Sequence, residues 1–176
     1  MLDFLEFMKA SLGPGVAALG VAVAVAQWHT NDVKLRLDSY DRRLRVYKAT
    51  VAMLECLMEE IRARRGPPHR DRNDKPEGQY QELPEKVVAT FEDCLLEAPF
   101  LFDEDVTRFM QLVKMDHDHI RMYAKSLVGI SQADAYASSQ GSSFEALRDS
   151  EGRIKRANRN VKTAFQRHLK LQRFQK

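Results

Sequence analysis

Asp116-His117-Asp118-His119 is the densest run of side chains able to ligate a metal or move a proton. On a helix Asp116 and His119 stand three residues apart and share a face, while His117 points away from His119. A zinc or di-iron site needs three or four ligands converging from one or more helices. Neither a Glu-x-x-His repeat nor an H-E-x-x-H motif occurs. Asp116 and His119 are therefore the metal candidates, with no converging partners in the pattern, and no catalytic residue or cofactor is assigned. His117 falls in an apolar stripe and reads as a hydrogen-bonded core histidine. No phosphate-cradling Gly loop, nucleophile elbow or dinucleotide fingerprint is present, so nucleotide chemistry and acyl transfer have no support. Cys56 and Cys94 lack CxxC spacing and lie in apolar-patterned segments, which reads as buried free thiols.

Binding is the other chemistry on offer. The net charge of +3 is too small by itself to imply a nucleic-acid partner, but the basic residues are clustered. One cluster is Arg62 to Gln79, where Gly66, Pro67, Pro68, Pro76 and Gly78 stop any helix. The other lies on the last patterned segment, from Arg153 to Lys176. The candidate contacts to an anionic partner are Arg64, Arg65, Arg70 and Arg72 in the first, with Lys162, Arg167, Lys170 and Arg173 in the second. Lipid headgroups and nucleic-acid phosphates both present such charge. No aromatic residue interleaves with the arginines of the first cluster, so a base-stacking platform is absent there.

Apolar periodicity defines the elements that carry these groups. From Ala10 to Asn31 no side chain is charged. With Phe4, Leu5, Phe7 and Met8, this run reaches the ~20 residues that cross a bilayer. Residues 1–28 are therefore expected to be a membrane anchor, with Trp28, Lys34 and Arg36 at the interface. The excess of Lys and Arg after Trp28 places the remainder in the cytoplasm. Two other readings compete: a signal peptide cleaved after Ala26, weakened by Asp3 and Glu6 before the apolar core, and a buried helix of a soluble domain.

From residue 29 to Ile61 a long helix is expected. Val33, Leu37, Tyr40, Leu44, Tyr47, Val51, Leu54, Met58 and Ile61 alternate steps of four and three. Val33 to Ile61 spans about 43 Å by helix rise. Val33, Leu37, Tyr40, Leu44 and Tyr47 form a candidate self-association seam. From Val46 a second row (Val46, Met53, Leu57) widens the stripe, as a multi-helix core requires. Residues 62–79 are expected to be a basic, flexible loop.

Residues 80–176 carry the remaining helices. Pro84 opens one, with Val87, Val88, Phe91, Cys94, Leu95 and Ala98 inward, and Pro99 is expected to end it. Phe100, Leu101 and Phe102 form an apolar plug before Asp103, an N-cap. Val106, Met110, Val113, His117, Ile120, Ala124 and Leu127 mark the next helix, to about Ile130. After a polar stretch broken at Gly141, Ser142 and Glu145 fit a capping box. The last helix then buries Phe144, Leu147, Ile154, Val161, Phe165 and Leu169. The expected fold is all-α: an N-terminal transmembrane helix followed by an antiparallel bundle with one long first helix.

Gln27-Trp28, Lys34-Leu35-Arg36-Leu37-Asp38, Tyr40-Asp41-Arg42-Arg43 and Val46-Tyr47 together resemble a widespread group of small bacterial proteins of unknown function. Its members have one N-terminal membrane helix, a QW…KLxLDxxDRRxxVY stretch and a helical remainder. The Phe100-Leu101-Phe102 step is similar too. The resemblance implies a single-pass protein of the bacterial inner membrane with a cytoplasmic bundle, and it brings no activity. The expected function is a membrane-tethered scaffold or interaction module, held by lipid through its anchor and joined to a protein partner or to itself. A tethered binder of nucleic acid or anionic lipid is the alternative.

Overall fold

The computed structural model describes residues 2–65, 80–126 and 141–170, with side chains from Leu19 onward. Among the described residues there are four α-helices and no strand: α1 (Leu2–Arg65), α2 (Glu85–Leu101), α3 (Glu104–Ser126) and α4 (Gly141–Phe165). The chain falls into two compact units, Met1–Asp41 and Arg42–Lys176.

The second unit is an antiparallel helical bundle. Cross-helix contacts give its order. Arg45 of α1 meets Glu97 of α2, while Tyr47 and Arg64 of α1 meet Phe165 and Glu151 of α4. Glu92 of α2 meets Lys114 of α3, and Asp116 of α3 meets Arg153 of α4. Early residues of each helix therefore lie beside late residues of its neighbours. At one end Phe165 takes edge-on contacts from Tyr47, Phe102 and Phe109, with centroids 5.5, 5.2 and 6.3 Å away. This geometry suits the ring quadrupoles.

The α3 stripe is buried where its spacing demands. Val106, Met110, Val113, His117, Ile120 and Ala124 are all inside, and Leu127 lies outside the described residues. Asp103 caps this helix by accepting from the Val106 N–H at 3.2 Å. On α4, Leu147, Ile154, Val161 and Phe165 are buried and Phe144 is half-buried; the helix ends at Phe165, so Leu169, expected on it, lies beyond it and is half-buried.

Several local expectations are corrected. In α1 the second row is buried throughout (Val46, Met53 and Leu57), whereas the first row is buried at Leu54 and Ile61 and only half-buried at Tyr47, Val51 and Met58. The core lies against three helices, so its centre shifts toward the widened side of the stripe. Helix α1 also continues to Arg65, four residues into the expected loop. The rest of that loop, 66–79, is outside the described residues. Pro84 stands at the N-cap of α2 rather than in its first turn, its carbonyl accepting from the Val87 N–H at 2.9 Å. Pro99 does not end α2. The helix runs to Leu101, and Ala98 accepts the Phe102 N–H at 3.0 Å. A proline costs one backbone bond and crowds the preceding turn; buried Ala98 and Phe102 on either side hold the turn in place. Of the apolar plug, Phe102 is buried but Phe100 is 89% exposed. Gly141 is the first residue of α4, so Ser142 lies inside the helix and not at its cap.

Among the described residues no helix is long and apolar enough to cross a membrane. Most of the expected anchor, residues 1–18, lies outside the residues whose side chains are described.

Two phenylalanines separate core from surface in one experiment. Phe165→Ala should cost about 3–5 kcal/mol in urea unfolding, because it empties a closed aromatic cluster. Phe100→Ala should stay within about 0.5 kcal/mol of the parent. Equal losses would mean that Phe100 is covered.

Candidate functional site

Charged residues in the bundle are placed by helix spacing. Glu60 lies one turn before Arg64 on α1, and Glu151 lies between Leu147 and Ile154 on the inner face of α4. Their side chains are 2%, 7% and 1% exposed for Glu60, Arg64 and Glu151. The Arg64 guanidinium donates from Nε to Glu60 Oε1 at 2.8 Å. Its Nη2 sits 2.7 Å from Glu151 Oε1, and Arg65 Nε reaches Glu151 Oε2 at 2.6 Å. The contacts to Glu151 are ion pairs rather than aligned hydrogen bonds. Burial works against the Arg64 charge, but the two carboxylates outweigh it and hold its pKa above the ordinary guanidinium value. Arg64 and Arg65 were candidate contacts for an external anion. Arg64 instead spends its charge inside the bundle, and Arg65, 40% exposed, is shared with Glu151.

A second polar group lies between α3 and α4. Asp116, 2% exposed, accepts from Arg153 Nε at 2.8 Å and is 2.7 Å from its Nη2. Arg153 also donates to Ser150 Oγ at 2.9 Å. Asp116 is thus committed to an arginine. Its intended co-ligand His119 is half-buried, with its ring tilted 5.9 Å from Tyr123. Among the described residues no group of three or more His, Cys, Asp or Glu is placed to hold a metal. The two cysteines are free thiols, Cys94 buried and Cys56 half-buried, and burial pushes both pKa values up.

His117 is a core histidine. It is 3% exposed, and its Nε2 lies 3.4 Å from the hydroxyl of Tyr80, just before α2. Nothing in the sequence pattern marked Tyr80, a lone aromatic behind a polar segment. Burial, reinforced by Glu60 and Glu82, raises the Tyr80 hydroxyl to about 12. Burial also lowers the His117 pKa, against the opposing pull of Asp118. The pair is a neutral hydrogen-bonded plug. A reactive acid and base would need an opening to a substrate.

The remaining candidates scatter. Lys162 and Lys170 are exposed, whereas Arg167 is paired with Asp103 and lies 3.1 Å from Asp105. Arg167 and Lys170 line an open groove of about 480 Å³ beside α3, with Val106, Phe109 and Ala164 also in its lining. Arg70, Arg72 and Arg173 lie outside the described residues. Of the seam, Val33, Tyr40 and Leu44 are half-buried and Leu37 is 50% exposed. Tyr47 packs on Phe165 and belongs to the bundle. Trp28 and Lys34 are exposed, and Arg36 pairs with Asp32 at 2.9 Å. No protein-family model matches the chain, and no curated protein or solved structure is significantly similar to it.

The His117 environment fixes a pH dependence. Its folded pKa lies below the unfolded value near 6.5, so the unfolded chain binds more protons between the two. Stability is then complete above about pH 6.5 and falls as pH drops through the folded value, by at most about 1.4 kcal/mol per pH unit. His168, also lowered by burial, adds a smaller part. His117→Gln should flatten the slope of unfolding free energy between pH 7 and 5. An unchanged slope would mean that His117 is not the buried titrating group.

Proposed function

We propose that this chain is a membrane-tethered helical scaffold, with α1 carrying the tether and residues 42–170 forming the presented bundle. The carrying observation is the state of α1 between Leu19 and Trp28. Leu19, Val21, Val23, Val25 and Trp28 are 54–72% exposed, and at 100° per residue they point to several sides of the helix. A helix apolar all round is stable only where something apolar surrounds it, and lipid does this without a dedicated partner. The span this reading requires begins before Leu19, outside the described side chains. The uncharged run Ala10–Asn31 and the basic residues from Lys34 to Lys48 supply its other support. Their order favours an inner-membrane protein with its bundle in the cytoplasm. The resemblance to small bacterial membrane-anchored helical proteins points the same way.

The scaffold part of the reading rests on the interior. Its buried carboxylates Glu60, Glu151 and Asp116 are paired with arginines, and its surface carries Leu96 and Phe100 on α2 at 75% and 89% exposure. A protein partner or a second copy would meet such residues, or the half-exposed Leu37 beside Val33, Tyr40 and Leu44. The opposed reading is an exported bundle cut after Ala26.

Alkaline carbonate extraction and intact mass of the natively expressed chain decide between them. The tether predicts a full-length mass retained in the pellet. Val21→Asp with Val25→Asp should move the protein to the supernatant, since each aspartate costs about 2.5–3.5 kcal/mol inside a bilayer. A mass beginning at Gln27, or a parent protein released by carbonate, would end the proposal.

A further inference from the structure

Helix α4 has two faces of unlike chemistry. Its apolar residues are inside, and among the described residues no large apolar side chain of α4 is exposed. Its outer face carries Arg148, Lys155, Arg159 and Lys162, at spacings of seven, four and three, with Arg156 beside them. All five are exposed, and none has an ion-pair partner among the described residues. Arg153, turned toward α3, and Arg167, just past the end of α4, are already matched by Asp116 and by Asp103 with Asp105. Arg64 and Arg65 are likewise satisfied by Glu60 and Glu151. These four arginines are thus committed to acidic partners, and the α4 row is left open. After Glu151 the sequence has no acidic residue at all.

We propose that this outer face of α4 binds the phosphate backbone of a nucleic-acid duplex, without reading its sequence. The proposal goes beyond the scaffold reading and does not depend on what α1 does at its N-terminus. Three features select this partner. Membrane-surface helices insert an apolar face, and that of α4 is occupied by the core. Protein interfaces rest on buried aromatic or aliphatic anchors, and this face offers none. Duplex backbone recognition is almost wholly electrostatic and needs neither. The row from Arg148 to Lys162 is about 21 Å long by helix rise, which runs beside roughly six phosphates of one strand. The side chains that would carry base stacking or specific apolar contact are absent from it.

The test uses the full chain in a neutral, non-ionic detergent with a fluorescein-labelled 20-base-pair duplex, read by anisotropy at several salt concentrations. Four phosphate contacts predict a slope of log K against log salt of roughly −3 to −4. The triple variant Lys155→Glu, Arg159→Glu, Lys162→Glu should lose more than tenfold in affinity and flatten that slope. A matched triple on α1, Arg42→Glu, Lys48→Glu, Arg62→Glu, makes the same change in net charge and should keep most of the binding. Milder Lys155→Gln, Arg159→Gln, Lys162→Gln changes guard against loss of fold, which circular dichroism monitors. No duplex binding by the parent at 50 mM salt overturns the proposal. So does equal loss in both triples, which would make the attraction a property of net charge. Binding to nanodiscs of anionic lipid, without binding to duplex, would assign the face to a membrane surface instead.

Discussion

Arg64 stands between two carboxylates that water does not reach. Glu60 and Glu151 each bury a negative charge in the bundle, and one guanidinium touches both. An isolated carboxylate moved out of water costs several kcal/mol, so neither glutamate is tolerable there alone. The pairing joins the last turn of α1 to the third turn of α4, with a register that apolar packing alone leaves loose. The opposite end of the same helix pair is closed by Tyr47 on Phe165. With both ends fixed, the Asp116–Arg153 contact follows, and α3 is drawn against α4.

How much of this could be read from the chain depends on how many partners each helix has. Helix α3 has one apolar stripe, and its inward residues were legible one by one, His117 included. Helix α1 carries two apolar rows, and periodicity cannot say which row faces the centre of a bundle that other helices define. Glu60 and Glu151 leave a signal in the sequence. Each is a charged residue at a core position of the helical repeat, beside Ile61 and between Leu147 and Ile154. Such a position demands an opposite charge, and Arg64 was available one turn from Glu60. In the sequence Arg64 reads as part of the basic cluster because Gly66 and Pro67 follow so closely. Pro99 reads as a stop although a helix can lose one backbone bond near its end when the side chains on either side are buried.

The candidate site fared differently. Types and spacing singled out Asp116 and His119, but side-chain direction separates them, one turned inward to Arg153 and the other toward the surface beside Tyr123. Of the basic residues, the ones in contact with acidic partners are structural, and the informative ones are those left over. A count of arginines cannot make that distinction, because it requires knowing which carboxylates are already spent. The same logic applies to the apolar residues. Those of the bundle are consumed by one another, and the ones between Leu19 and Trp28 have no protein cover among the described residues.

The account turns on the buried guanidinium, and urea unfolding of Arg64→Met measures it most directly. Methionine fills much of the same volume but leaves Glu60 and Glu151 facing each other, with only half-exposed Arg65 to compensate. A loss of about 3–5 kcal/mol at pH 7 is predicted. A loss below about 1 kcal/mol would show that the two glutamates do not depend on Arg64 and that the register of α1 on α4 is set by something else.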